Sequence, residues 1–423
     1  MGNILIKNIY RCGKRGDVLI CQNKIAKIAE SIELKENLSR DCEVIDGTGK
    51  ALIPGFANMH THAAMTLMRG AEEDSKLKHW LKSIWELEAK LDEELVYYGT
   101  KLACIEMIKS GTTLFNDQYF FTRAAVKAAE EIGIRSWHSQ VFLDLGNNMA
   151  AMKQRENCIT EYEISRGWGE LNNFEVAIHA PYTVTKENII WAKEFAAKNN
   201  LKIHVHIAET DQERLDSLRK FKCTPTQYLN ELGFYGPNVI AAHCVWLDEN
   251  DIQTLGKNRV TVVHNINSNL KLSSGYKFKF RELADAGANL CIGTDGVASS
   301  NNLDMLEAMK TTALVQKAWR KDPSAMPLAE LLAAGSENGY KAFDLNGGKI
   351  EEGALADLCI IDIDNIYFTP NINFNANLIY SAHSDCVESV ICNGNIVMRN
   401  REIKGEKEVI ENVRKLYKKL FIK

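Results

Sequence analysis

The sequence predicts a (β/α)8 barrel of TIM type joined to a small β-sandwich domain that both chain termini build. Three observations predict it. Eight short apolar segments alternate with helix-patterned stretches through the middle of the 423-residue chain. Strand-like, turn-punctuated segments recur at both ends. Polar residues able to bind metals or move protons stand repeatedly where the apolar segments end, and barrel active sites form at the C-terminal ends of strands. A doubly wound open sheet is the alternative topology, and the third observation favours the barrel.

At the N-terminal end, Ile4–Ile9, Asp17–Cys21 and Lys24–Ala29 read as strands, the last two joined by Gln22-Asn23. Asp46-Gly47-Thr48-Gly49-Lys50 reads as a tight turn. The eight barrel strands are expected at Leu52–Asn58, Thr112–Asp117, Arg135–Leu143, Phe174–His179, Lys202–Ile207, Val239–His243, Val260–His264 and Asn289–Gly293. Helical patterns such as Leu91–Lys109 and Thr122–Ile132 intervene, and Gly111, Gly133 and Gly287 fall where helices should stop. Near the C-terminus, Ala356–Ile363 and Val387–Met398 read as strands, with Asn393-Gly394 as a hairpin signal. Glu406–Phe421 carries helical periodicity and many lysines, as a surface helix does. This places residues 1–53 and 348–423 in the terminal domain and 54–347 in the barrel.

Composition narrows the function classes. With 45% hydrophobic and 25% charged residues the chain has material for a large core. A net charge of -4 carries no basic bias, which argues against nucleic acid as a partner. The 11 cysteines include no CxxC pair, the pattern of reduced buried thiols in a cytoplasmic protein. No segment is apolar enough to span a membrane, and the N-terminus lacks the apolar core of a signal peptide. A small-molecule substrate is the partner expected, and a homo-oligomer is compatible with all of this.

The strand ends carry the chemistry. His60 and His62 close the first, and residues i and i+2 of a strand point to one side. The fourth ends at His179, the fifth at His206 with Glu209 just beyond, the sixth at His243, the seventh at His264 and the eighth at Asp295. Imidazole and carboxylate donors suit Zn²⁺, with iron or manganese as alternatives. His60, His62, His206 and Asp295 supply enough ligands for one such ion and leave a position for water. Asp295 is also placed to accept that water's proton. Glu209 reaches substrate without being a ligand, and His243 suits holding a water or stabilising charge. His204 faces the same side as His206 one layer deeper, as a core or supporting histidine. His264 reads equally as supporting or structural, and His79, His138 and His383 read as structural or surface residues. Trp80 and Trp85 lie in a helical stretch and are expected to pack in the core. Phe115 and Tyr119 suit either an aromatic pocket or core packing.

The segment Pro54-Gly-Phe-Ala-Asn-Met-His60-Thr-His62-Ala-Ala-Met-Thr-Leu-Met-Arg-Gly70 resembles the opening motif of the amidohydrolase superfamily, in its deaminase and chlorohydrolase branch. His206-Ile-Ala-Glu209-Thr, Ala242-His243-Cys, the run from His264 to Leu272, Gly293-Thr-Asp295-Gly and Gly348-Lys-Ile-Glu-Glu-Gly-Ala-Leu-Ala-Asp-Leu358 match in order, so the resemblance covers nearly the whole chain. It is nearest to the 5-methylthioadenosine/S-adenosylhomocysteine deaminases. The resemblance implies hydrolytic deamination of an adenine nucleoside, with guanine, 8-oxoguanine, cytosine or a triazine as alternative rings. It implies a single metal on His60, His62, His206 and Asp295, because Phe174–Pro181 lacks the lysine that two-metal relatives use. It implies that Glu209 protonates the ring, His243 orients the nucleophile, Asp295 takes the proton from water, and His179 contacts the nucleoside. Glu88 falls at the ribose-binding glutamate, with Glu86 competing. Arg155 matches one of two arginines expected on the amino-acid carboxylate of S-adenosylhomocysteine. Gln140 occupies the place of the other.

Overall fold

The computed structural model describes residues 2–11, 13–34 and 42–421. Its centre is a sheet of eight parallel strands, each hydrogen-bonded to the next in chain order. They are Phe56–Thr61, Thr112–Asp117, Arg135–Phe142, Asn172–Ile178, Ile203–Ile207, Val239–His243, Thr261–His264 and Asn289–Ile292. Just beyond the eighth strand, the Asp295 N–H donates to the His60 carbonyl at 3.0 Å, which ties the last strand to the first and closes a (β/α)8 barrel. Apolar side chains such as Val176, Ile178, Val205, Ile207, Val262 and Ile292 are fully buried in the main core cluster together with side chains of the surrounding helices.

Helices stop where the glycines predict. Gly133 and Gly287 are left-handed C-caps at φ 85° and 101°, a conformation that costs glycine little. Asp92, Asn147, Thr210, Asp248 and Asp304 cap helix N-termini with side-chain oxygens, satisfying N–H groups that have no partner within the helix.

The first expected strand is corrected. Leu52–Asn58 is not one strand: Lys50–Pro54 belongs to the terminal sheet, and the barrel opens only at Phe56. Pro54 has no N–H to continue a ladder. Gly55 passes so close to Thr113 that a Cβ there would sit 2.0 Å from its hydroxyl oxygen.

The terminal sheet also has eight strands. Asn395–Met398, Val387–Cys392, Leu358–Asp362, Lys50–Pro54, Asn3–Arg11, Lys14–Cys21 and Lys24–Ala29 pair in that order, and Cys42–Asp46 pairs in parallel with Asn3–Arg11. Strands from both ends of the chain are therefore neighbours, with Lys50–Pro54 antiparallel to Leu358–Asp362. Asn393 and Gly394 both have positive φ, 49° and 73°, as a two-residue hairpin turn of this hand requires. Cys42–Asp46 was not read as a strand from sequence, and Glu406–Phe421 divides into helices Glu406–Leu416 and Lys418–Phe421.

A buried polar knot joins the two sheets. Asp357 accepts from Arg135 Nε and from the Tyr340 hydroxyl, both at 2.9 Å, and Arg135 also donates to Asn393 Oδ1 at 3.1 Å. Among the described residues, no helix is long and apolar enough to cross a membrane.

Candidate metal centre and active-site pocket

The strand ends named from sequence converge. Ring nitrogens of His60, His62 and His206 lie within 4.8 Å of one another, and donors of His60, His243 and Asp295 form a second such group. Asp295 Oδ1 is 3.4 Å from His60 Nε2 and 3.3 Å from His62 Nε2. His62 Nδ1 lies 2.7 Å from the Gln118 carbonyl and His206 Nδ1 lies 2.7 Å from the His179 carbonyl. A carbonyl only accepts, so each Nδ1 carries the hydrogen. The two Nε2 atoms, 3.3 Å apart, then face each other as bare lone pairs. His60 Nε2 is buried with no hydrogen-bond partner. Burial drives the His60 and His206 pKa values well below the usual histidine range, which keeps both rings in the neutral form that ligates metals. Burial alone would raise the Asp295 carboxyl, but the adjacent His60 ring, 3.4 Å away, and the neighbouring histidines outweigh it and hold the group ionised. Lone pairs and a carboxylate aimed at one point, without protons between them, fit a divalent cation.

Left-handed backbone at the strand ends aims these groups. Ala208, His243, Cys244 and Asp295 adopt φ of 52°, 74°, 49° and 63°, where non-glycine residues are strained. Such strain persists where surrounding contacts over-determine it. At Ala208 those contacts are explicit. Its carbonyl accepts from the N–H groups of Val245 and Trp246 at 3.0 and 2.9 Å, and its N–H donates to Glu213 Oε1 at 3.1 Å. The other Glu213 oxygen accepts the Glu209 N–H at 2.9 Å. Glu213 thus holds the turn that carries Glu209, and Thr210 caps the helix beneath it by accepting the Glu213 N–H at 3.0 Å. Sequence reading missed Glu213, although Thr210-Asp-Gln-Glu213 spells the capping-box pattern that marks such a turn.

Glu209 Oε2 lies 3.9 Å from His243 Nε2. Burial, then the negative charge of Asp295, pushes the Glu209 carboxyl up to about 8, so it is mostly protonated at neutral pH. Burial lowers the His243 ring below the usual range and the His179 ring to about 3. His179 Nδ1 is held by the Thr183 hydroxyl at 2.9 Å.

One pocket opens onto this cluster. His62, His206, His243, Asp295, Glu209, His179 and Glu88 line it, with Trp80, Trp85, Leu77, Leu81, Ile84, Tyr119, Phe120, Val141 and Leu143 forming much of the remaining wall. Glu88 faces the pocket while Glu86 is exposed, which separates the two competing positions. Burial raises the Glu88 carboxyl, against the lowering influence of the Tyr119 hydroxyl. Trp80 packs in a core cluster as expected and also borders the pocket, where its Nε1–H donates to the Ala298 carbonyl at 3.3 Å; Trp85 lines the pocket. Tyr119 lines it as well, whereas Phe115 packs in the barrel core.

Arg155 is not brought to this pocket. Its Nε donates to Asn188 Oδ1 at 2.6 Å, and its guanidinium lies 5.9 Å from the Trp191 ring centre. Gln140 does not line the pocket either, and no lysine or arginine stands among the described lining residues. His264 stacks on Phe278 with ring centres 4.1 Å apart and lies outside the lining. His138 is buried beside Ser136, His383 packs on Tyr367, and His79 is exposed.

A family model described as the amidohydrolase family matches residues 51–397. The chain belongs to the amidohydrolase family. It is a hydrolase with that family's barrel and a strand-end His/Asp metal-binding group. It is 43% identical over 414 residues to a 5'-deoxyadenosine deaminase of Methanoregula boonei, covering 96% of this chain and 93% of the relative. It is also 43% identical over 387 residues to 5-methylthioadenosine/S-adenosylhomocysteine deaminase 1 of Archaeoglobus fulgidus, covering 89% and 90%. Among solved structures, an adenosine deaminase from Xanthomonas campestris with bound zinc superposes with a TM-score of 0.91 at 30% identity, over 99% of this chain and 98% of the other. Zinc-complexed atrazine chlorohydrolase of Arthrobacter aurescens, at 21% identity and a TM-score of 0.89 over 98% and 100%, shares the fold.

Proposed function

We propose that this protein is a metal-dependent deaminase of adenine nucleosides whose 5' substituent carries no carboxylate, such as 5'-deoxyadenosine, 5'-methylthioadenosine and adenosine. One observation carries the reaction type: a protonated Glu209 and the ionised Asp295 stand in the same pocket with the bare Nε2 atoms of His62 and His206. A carboxyl held as an acid beside one held as a base is the pairing that hydrolytic deamination needs. The names of the relatives support the ring assignment.

His60, His62, His206 and Asp295 would hold one divalent ion, with zinc proposed on the donor set and on the zinc-bound Xanthomonas structure. When bound, such an ion lowers the pKa of water to about 7 and so supplies a nucleophile at neutral pH. Asp295 accepts a proton from the water that adds at C6. Glu209 donates its proton to the adjacent ring nitrogen, so the ring gains no net negative charge. His243, 3.9 Å from Glu209, orients the water and stabilises charge developing at C6. Asp295 then returns its proton to the amino group, the C6–N bond breaks and ammonia leaves, while the C6 hydroxyl gives its proton back to Glu209; an inosine-type product results and both carboxyls are restored. Glu88 accepts from the ribose hydroxyls and His179 contacts the nucleoside. Trp80, Trp85 and the Leu/Ile wall enclose the ring and exclude water. In this reading residues 55–347 form the catalytic barrel and 1–54 with 348–423 its supporting domain, and the enzyme acts in the cytoplasm.

The 5' preference follows from the absence of a cation in the described pocket wall together with the engagement of Arg155 elsewhere. The test is ammonia release from 5'-deoxyadenosine, 5'-methylthioadenosine, adenosine, S-adenosylhomocysteine and guanine, and chloride release from a chlorotriazine, before and after metal removal. Release from the first three that is lost on chelation and restored by zinc is the expected result. Release from guanine or triazine alone overturns the reading.

A further inference from the structure

Two buried titratable groups lie behind the metal-binding cluster and take no part in the proposed reaction. Glu175 on the fourth barrel strand and His204 on the fifth are both fully buried. Glu175 Oε1 is 3.1 Å from His204 Nδ1, and His204 Nε2 is 3.0 Å from His60 Nδ1. The far nitrogen of that last ring, His60 Nε2, is the one that faces Asp295.

The proton positions along this chain follow from donor and acceptor chemistry. A carboxylate only accepts, so His204 carries its hydrogen on Nδ1. A neutral His204 then has a bare Nε2, which accepts from His60, and His60 must carry its own hydrogen on Nδ1. That leaves the lone pair of His60 Nε2 pointing at the cluster. Asn116 is consistent with this order only with its amide turned over. Its Nδ2 lies 3.2 Å from the same His204 Nδ1, and its Oδ1 is buried without a partner. With the amide turned over, that oxygen accepts from His204 as well. The opposite order would put a hydrogen on His60 Nε2 and close the position to a metal.

We propose that Glu175 and His204 are positioning residues for the metal: the Glu175–His204–His60 chain locks His60 in the tautomer that ligates. The carboxylate acts through two imidazoles in series, one more than the usual carboxylate–histidine–metal arrangement. It also accounts for a charge buried in the barrel interior, which costs stability unless it is paired. The inference rests on the metal reading of the cluster given above.

The test is the zinc dissociation constant of the full-length protein, measured by competition with a chromophoric chelator, for wild type and Glu175→Gln. Glutamine keeps the size and an acceptor oxygen but removes the charge. The expected result is zinc binding weaker by about 10- to 100-fold, with the melting temperature of the metal-free protein unchanged. Equal dissociation constants overturn the relay while leaving the metal site standing, whereas a wild type that binds no zinc overturns both. A fall in metal-free melting temperature with no change in affinity assigns the pair a purely structural role and also overturns it. Where Glu175→Gln does not fold, nitrogen-15 histidine spectra of the zinc-loaded wild type decide: His60 and His204 both protonated at Nδ1 support the relay, and His60 protonated at Nε2 overturns it.

Discussion

His62 and His206 face each other Nε2 to Nε2 across 3.3 Å, while each ring's Nδ1 is tied to a backbone carbonyl. With both rings neutral, neither nitrogen has a hydrogen to offer the other, so the pair repels unless a cation lies between. The backbone carbonyls of Gln118 and His179 therefore help set the metal chemistry, and substituting their side chains would not remove that contribution.

In the proposed mechanism Glu209 sets the alkaline side of the activity profile. Its carboxyl is pushed up to about 8, and the acid form is the one that donates. kcat should hold near neutrality and fall as pH rises through about 8, as a pH–rate profile would register. Glu209→Gln should lower kcat by about 10²- to 10⁴-fold with metal content retained. Full activity in that variant would remove the proton-donor role. The same shift affects stability. Between the ordinary carboxyl value of 4.5 and about 8 the folded state keeps a proton that the unfolded state has lost. Metal-free protein therefore loses stability as pH rises across that window.

Glu213 should matter without touching substrate. Its two oxygens receive the N–H groups of Ala208 and Glu209, and it supports a strained residue at φ 52°. Glu213→Ala lets the Glu209 carboxyl drift, and a misplacement of about 1 Å can cost roughly 10²-fold in rate. A kcat loss with little change in KM and normal zinc content is expected. A loss of zinc instead would place Glu213 in the metal's support.

Arg155 should be neutral for substrate choice. Its guanidinium is committed to Asn188 and lies beside Trp191. Arg155→Ala should leave the ratio of kcat/KM values for S-adenosylhomocysteine and 5'-methylthioadenosine unchanged, with some loss of stability from the broken contacts. A selective fall for S-adenosylhomocysteine would bring back the carboxylate contact that the resemblance implied.

Asp357 should be a stability residue. Removing it leaves the Arg135 guanidinium buried and unpaired between the two sheets. Asp357→Ala should cost about 3–5 kcal/mol in denaturant melts, while the folded fraction keeps its kcat. A cost near zero would mean the knot is solvated.

Most of the barrel and the metal-binding cluster were legible because their signals are local. Apolar runs with intervening helical periods mark strand positions, and a His or Asp just past a run lies at the barrel mouth whatever the loops do. What escaped needed three-dimensional information. The amphipathic pattern of Leu77–Glu88 says that one face is covered but not by what: Trp80 packs in the core as read and also borders the pocket, whereas Trp85 walls the pocket without joining the core. Arg155 sits on a helix whose rotation decides whether it meets substrate or Asn188, and spacing does not encode that rotation. The division at Pro54-Gly55 was hidden because two strands of different sheets follow each other with no loop between them. Glu175 stands in an apolar run and carries no motif, and its role emerges only where its strand lies beside the one bearing His204.

Lys50–Pro54 sits between Asn3–Arg11, made first, and Leu358–Asp362, made roughly 300 residues later. At about 5–20 residues per second on the ribosome, the emerging chain carries an apolar strand edge with no neighbour for on the order of 15–60 s. Such an edge is a template for pairing with other chains. The strand Leu358–Asp362 is therefore what closes this edge: a chain lacking it would leave the edge open to aggregation, even though every proposed metal ligand has already been synthesised.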